Sequence, residues 1–204
     1  MRLGLLGGSF DPVHYGHLLL AECCREQLRL ERVDFLPAAV PPHKPDRELS
    51  AAETRVEMLQ LAIAGHEHFA VSRYEVDRGG VNYTVDTLRH YRAEDPDAEL
   101  FFLAGADMLH DLPEWREAAE ICRLCVMAVA RRWGEPEPDF ARLAPITTPE
   151  RIALFRRHLI EMPAIGLSAT DIRRRVAAGR SIRYQTPRAV EKYIETAGTY
   201  REGS

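Results

Sequence analysis

Short apolar blocks alternate with stretches of helical periodicity along this 204-residue chain, and that alternation limits what it can fold into. Arg2–Leu6 is an apolar run that ends in Gly7-Gly8; Arg32–Pro37, Phe69–Val76, Leu100–Ala104 and Leu124–Ala130 are further blocks of strand length. Between them lie helical patterns: His17–Leu30, a helix opening at Ser50 with Ala52, Val56, Leu59 and Ile63 on one face, and Thr84–Ala93. Ser50 with Glu53 three residues on reads as a capping box. Short helical turns follow around Asp107–Leu112 and Glu114–Ile121. Nearly continuous apolar strands separated by helices predict a parallel sheet covered on both faces. The expected class is α/β: a Rossmann-like three-layer sandwich with a mostly parallel sheet, in a single domain over 1–204.

The last third of the chain is polar and helical. Thr148-Pro149 reads as a cap and first helical position for a helix to about His158. A small helical C-terminal portion, about 166–204, follows. Ser168 or Thr170 caps one helix running to Gly179. Thr186-Pro187 opens the last, with Val190, Tyr193, Ile194 and Ala197 on one face and Gly198 closing it.

Composition removes several classes. With 27 basic and 31 acidic residues the net charge is −4, so a phosphate-bearing small molecule fits better than nucleic acid. Apolar runs such as Leu124–Ala130 are about seven residues, far below the ~18–20 that span a membrane. The Gly-rich N-terminus does not resemble an export signal. Cys23, Cys24, Cys122 and Cys125 lack the spacing of a disulfide framework and predict reduced thiols in a cytoplasmic protein. Cys122-x-x-Cys125 straddles a helix end and a strand start, where packing is a better reading than redox or zinc chemistry.

The chemistry concentrates in Gly7-Gly8-Ser9-Phe10-Asp11-Pro12-Val13-His14-Tyr15-Gly16-His17. A buried strand runs into glycines, then a turn, then a helix whose first turn carries His17. Glycine lets backbone approach a ligand closely, and a helix N-terminus offers free N–H groups and positive potential to phosphate. The segment is neither a Walker A loop nor G-x-G-x-x-G. His14 and His17 admit three readings: a structural pair, two ligands of a metal, or donors to phosphate. Donors fit the helix start best. Asp11 reads as a turn starter before Pro12 rather than a metal ligand. Lys44, after Pro41-Pro42-His43, would ordinarily be solvated, and Trp115 would ordinarily pack in a core.

The pattern Gly-x-Phe-Asp-Pro-x-His-x-Gly-His resembles the nucleotidyltransferases that share an H-x-G-H motif with class I aminoacyl-tRNA synthetases. That superfamily's second mark, Ile-Ser-Ser-Thr-x-x-Arg, is matched by Leu167-Ser168-Ala169-Thr170-Asp171-Ile172-Arg173, with Ala169 replacing a hydroxyl. Pro41-Pro42-His43-Lys44, Asn82-Tyr83-Thr84-Val85-Asp86-Thr87-Leu88, Phe102-Leu103-Ala104-Gly105-Ala106-Asp107, Leu112-Pro113-Glu114-Trp115 and the tail Pro187–Tyr200 are similar to bacterial nicotinate-mononucleotide adenylyltransferases. Arg131-Arg132-Trp133-Gly134 departs from that family's Arg-Pro-Gly.

The resemblance implies transfer of the adenylyl group of ATP to nicotinate mononucleotide, giving nicotinate adenine dinucleotide and pyrophosphate in NAD biosynthesis. It implies His14, His17 and Arg173 as catalytic. It implies ATP contacts from Gly8, Ser9, Phe10, His14, His17, Gly105, Asp107, Ser168, Thr170 and Arg173, and acceptor contacts from Lys44, Tyr83, Thr84 and Trp115. Mg²⁺ is expected with ATP, with no protein ligands assigned to it. The expected partners are these two nucleotides, with no nucleic acid and no membrane; a homo-oligomer is compatible with the sequence. An acceptor such as nicotinamide mononucleotide or pantetheine phosphate, a non-catalytic nucleotide sensor and an NAD-dependent oxidoreductase are the alternatives; the last lacks G-x-G-x-x-G.

Overall fold

A computed structural model describes residues 1–40 and 49–201, the side chain of residue 107 apart. Among the described residues six strands form one sheet: β1 (Arg2–Gly8), β2 (Arg32–Pro37), β3 (Phe69–Val71), β4 (Glu99–Gly105), β5 (Val126–Arg132) and β6 (Ile160–Met162). Every pairing is parallel and the spatial order is β3-β2-β1-β4-β5-β6. The chain steps outward from β1 to β3, returns to the other side of β1, and steps outward again to β6. Right-handed crossovers are the rule for parallel strands and put helices on both faces of such a sheet.

The helices are α1 (Tyr15–Leu28), α2 (Ala52–Ile63), α3 (Tyr74–Arg78), α4 (Thr84–Glu94), α5 (Ala106–Asp111), α6 (Ala118–Leu124), α7 (Pro149–Arg157), α8 (Ala169–Ala177) and α9 (Arg188–Ala197). The central strands are apolar on both faces because both are covered: Leu3, Leu5 and Leu6 of β1 and Phe101, Phe102 and Leu103 of β4 are all buried. None of these helices is long and apolar enough to cross a membrane. All four cysteines are free thiols. Burial pushes Cys122 up to about 11 and Cys125 up to about 12, so both pack as inert side chains.

Four expectations are corrected. The third strand ends at Val71, not Val76, because Tyr74–Arg78 turns into helix α3, tied by Arg73 to Asp77 at 2.9 Å. Strand β6 is absent from the sequence reading; three residues at a sheet edge carry too little pattern to see. The fifth strand lies two residues later, at Val126–Arg132, because α6 runs through Leu124. The Ser50–Glu53 capping box does not form. Ala51 is the N-cap without a side-chain bond, Glu53 instead pairs with Arg73 at 2.7 Å, and the Ser50 N–H donates to Asp11 Oδ2 at 3.4 Å.

The caps at Thr148 and Ser168 form, whereas α9 is capped at Pro187 without a side-chain bond because Thr186 Oγ1 donates to the Val13 carbonyl instead. Thr148 Oγ1 accepts the Arg151 N–H ahead of Pro149, and Ser168 Oγ accepts the Asp171 N–H at 3.1 Å.

Candidate active site

The strand order reverses between β1 and β4, and a cavity of about 590 Å³ opens beside that point at the carboxyl ends of the strands. Open parallel sheets bind ligands there because neighbouring loops diverge to opposite faces. Gly7 of β1, Gly105 at the end of β4 and Ala130 of β5 contribute backbone to its floor. The N-terminal ends of two helices face it: His14, Gly16 and His17 from α1, and Ser168, Ala169 and Thr170 from α8. Their first-turn N–H groups and dipoles favour an anion.

His14 is the N-cap of α1, and its imidazole does the work a Ser or Asp usually does. The Gly16 N–H donates to His14 Nδ1 at 3.1 Å, and the His14 N–H donates to His17 Nδ1 at 3.2 Å. The two rings stack with centroids 3.8 Å apart. Each Nδ1 is an acceptor, so each neutral ring carries its proton on Nε2. Burial lowers His14 to about 4. Burial first, and the neighbouring His14 second, hold His17 well below its ordinary value. Both are therefore neutral N–H donors at pH 7.

Two glycines make room for the rings. A Cβ on Gly16 would lie 3.0 Å from His14 Nδ1 and Cε1, and one on Gly8 would lie 3.0 Å from the Phe10 ring. Phe10, at φ 48° and buried, meets the His17 ring edge-on at 5.0 Å. Of the Gly8-Ser9-Phe10 set assigned to ATP, the Phe10 side chain thus packs beneath His17, and none of the three lines the cavity.

Arg173 sits one turn into α8. It donates from Nη1 to the Asp11 carbonyl at 2.5 Å and from Nη2 to Thr170 Oγ1 at 3.3 Å. Asp11 is buried, with Oδ1 accepting the Tyr200 hydroxyl at 2.6 Å. Asp11 is thus tied to Tyr200 and Arg173, partners far beyond its own turn. Among the described residues no three His, Cys, Asp or Glu gather as a metal site.

Of the residues assigned to the acceptor, none of Tyr83, Thr84 or Trp115 lines this cavity. Thr84 opens α4, whose N-cap Tyr83 makes no side-chain cap bond. The Arg116 guanidinium lies 4.6 Å over the Tyr83 ring, and the Trp115 ring packs edge-on against Phe102 at 6.0 Å. Lys44 lies outside the described residues. Asp107 falls in α5, and its side chain lies outside them too.

Sequence reasoning missed Arg55. It is 1% exposed and bonds three carbonyls: Ser50 at 3.0 Å, Ser9 at 3.0 Å and Ala39 at 3.4 Å. It joins the glycine-rich loop to the segments on either side of residues 41–48. The signal was present: Arg55 falls on the apolar face of Ala52, Val56, Leu59 and Ile63, where a cation must find acceptors.

A cytidylyltransferase-like family model matches residues 5–175. A Thermomicrobium roseum protein described as a probable nicotinate-nucleotide adenylyltransferase is 49% identical over 203 residues, covering 98% of this chain and 92% of that one. The chain belongs to the nicotinate-nucleotide adenylyltransferase family. A Thermus thermophilus relative of the same description is 47% identical, covering 98% of this chain and 100% of its own length. A solved structure of Plasmodium falciparum nicotinic acid mononucleotide adenylyltransferase, complexed with NaAD, shares the fold at a TM-score of 0.77. Its identity is 16%, over 98% of this chain and 97% of that one. Of the two motifs, His14, Gly16 and His17 and then Ser168 and Thr170 line the one cavity, while Arg173 stands behind them on α8 and is not part of its lining.

Proposed function

We propose that this chain transfers the adenylyl group of ATP to nicotinate mononucleotide, releasing pyrophosphate and forming nicotinate adenine dinucleotide for NAD synthesis. The observation that carries this reading is the convergence of two helix N-termini and two neutral Nε2–H imidazoles on a cavity at the strand-order reversal.

The acceptor's phosphate is already ionised near neutrality, its second pKa lying near ~6. It attacks the α-phosphorus in line and pyrophosphate leaves, so no covalent enzyme intermediate and no strong base are required. What remains is positioning and stabilisation of charge on the phosphates. His14 and His17 supply N–H donors that need no proton transfer. Arg173, held by the Asp11 carbonyl, supplies a planar cation suited to phosphate oxygens. The uncapped start of α4 at Thr84 suits the nicotinate carboxylate, and Trp115 suits the ring. Lys44 and Asp107 keep the nucleotide roles that the family resemblance gives them. The described residues offer no cage for Mg²⁺. The ion would travel on the triphosphate, mostly hydrated, and neutralise charge there. The whole of 1–204 works as one unit, in the cytoplasm.

The test is pyrophosphate release from ATP with nicotinate mononucleotide, nicotinamide mononucleotide and pantetheine phosphate offered in turn. Fastest release with the first, and its dinucleotide as product, is expected. Release with pantetheine phosphate alone would overturn the reading.

A further inference from the structure

Tyr200 lies outside the motifs that mark the site, yet its phenol ends on the site's supporting shell. It follows Gly198, the left-handed residue that closes α9, and has a positive φ of 69° itself. Its hydroxyl donates to Asp11 Oδ1 at 2.6 Å. The other oxygen, Oδ2, accepts the Ser50 N–H at 3.4 Å and lies 3.9 Å from Arg173 Nη1. That Nη1 donates instead to the Asp11 backbone carbonyl, at 2.5 Å. One buried carboxylate is thus held by a phenol on one side with a guanidinium close by on the other.

Holding the tail in place does not depend on this phenol. Thr186 Oγ1 donates to the Val13 carbonyl at 2.7 Å, and the Tyr15 N–H donates to the Gln185 carbonyl at 3.1 Å. Tyr193 bonds Glu57, and Val190 and Ile194 are buried. The phenol's distinctive effect falls on the carboxylate. With little water to screen it, a buried carboxylate attracts a neighbouring guanidinium strongly. An arginine engaged by a carboxylate has given up the planar fork that phosphate needs. Burial, and then the Asp11 charge, push Tyr200 well above the usual phenol range, so it stays a donor at any working pH.

We propose that Tyr200 is a positioning residue: by donating to Asp11 it keeps that carboxylate from drawing Arg173 off the ATP phosphates. This rests on the reading of Arg173 as a ligand of those phosphates. Tyr200→Phe removes the one hydroxyl and keeps the ring. Asp11→Asn removes the charge that would compete for Arg173 and keeps the shape.

The experiment measures ATP affinity by calorimetry, and kcat and both KM values, for Y200F, D11N, R173M and the pairs Y200F/D11N and Y200F/R173M, with Tm alongside. Y200F is expected to weaken ATP binding about tenfold, or about 1.4 kcal/mol, with the KM for nicotinate mononucleotide within about twofold of wild type. In the D11N and R173M backgrounds, adding Y200F should change ATP affinity less than about twofold, because the contest for Arg173 is gone. Wild-type ATP affinity in Y200F would overturn the proposal, as would the same loss in all three backgrounds. So would a fall in affinity that merely follows partial unfolding in the Tm. A wild-type protein that binds ATP but makes no dinucleotide would strike the adenylyl-transfer reading alone, since the ATP titrations still decide the role of Tyr200.

Discussion

His14 and His17 together cap the start of α1: the His14 N–H donates to His17 Nδ1 at 3.2 Å, while His14 Nδ1 accepts the Gly16 N–H at 3.1 Å. The same two bonds start helix α1 and turn each imidazole into an Nε2–H donor. Fold and chemistry therefore share atoms here.

His17→Ala removes one donor and the ring on which His14 stacks. A preorganised donor aimed at developing charge is worth roughly 2.7–4 kcal/mol, so kcat should fall about 10²–10³-fold. The sheet core does not depend on this ring, so the far-ultraviolet circular dichroism should match wild type. A wild-type kcat would remove His17 from the reaction, and an unfolded variant would make it structural.

Gly16→Ala tests the stacking geometry through sterics alone. In a plain helix the change would stabilise by roughly 0.5–1 kcal/mol. Here the new methyl would sit 3.0 Å from the His14 ring and must displace it. Expected is a loss of kcat of about tenfold or more, without a gain in Tm. A more stable, fully active variant would show that His14 has room to move without consequence.

Arg55→Leu leaves the carbonyls of Ser50, Ser9 and Ala39 without their donor. Leaving a buried acceptor unsatisfied costs about 1–3 kcal/mol. Urea unfolding should show a loss of that order, and Arg55→Lys should recover little because an ammonium cannot span the three oxygens. A loss under about 1 kcal/mol would mean the loop is held by other contacts.

On the proposed reading, the start of α4 meets the acceptor's nicotinate carboxylate. A site made of N–H donors suits a carboxylate and leaves the amide NH₂ of nicotinamide facing other donors, at ~1–3 kcal/mol per unmade bond. Two such mismatches give a preference on the order of 10²–10⁴ in kcat/KM for nicotinate over nicotinamide mononucleotide. Equal values at fixed ATP would show that the pocket does not read the carboxylate.

What the sequence conveyed follows from the range of each interaction. Strands β1, β2 and β4 were legible because both faces are buried and their apolar runs are nearly unbroken. Ser168 and Thr148 were legible because a cap is decided within three residues. Ser50 failed the same rule because Glu53 had a better partner in Arg73, 20 residues away. The His14 cap was hidden because imidazole is not among the usual capping side chains. The contacts of Asp11 with Arg173 and Tyr200 join residues 162 and 189 apart, and no local pattern encodes them. Of the residues that the resemblance assigned to ATP, His14, His17, Gly105, Ser168 and Thr170 line the cavity, while Gly8, Ser9, Phe10 and Arg173 do not, because long-range packing decides which way they face.

The paired neutral imidazoles are the centre of the account, and their titration tests it most directly. In the folded protein His14 is lowered to about 4 from an ordinary 6.5, and His17 is also lowered. The unfolded chain thus binds more protons once pH falls below 6.5. Stability should be unaffected by these groups above that value and should decline below it, by up to about 1.4 kcal/mol per pH unit for each ring. The measurement is a ¹⁵N–¹H correlation of the histidine rings from pH 7.5 down to 5, with His14→Gln and His17→Gln assigning the signals. The account predicts Nε2–H tautomers for both rings at pH 7.5 and no titration of either across that range. A midpoint near 6.5, or a proton on Nδ1 of either ring at pH 7.5, would contradict it.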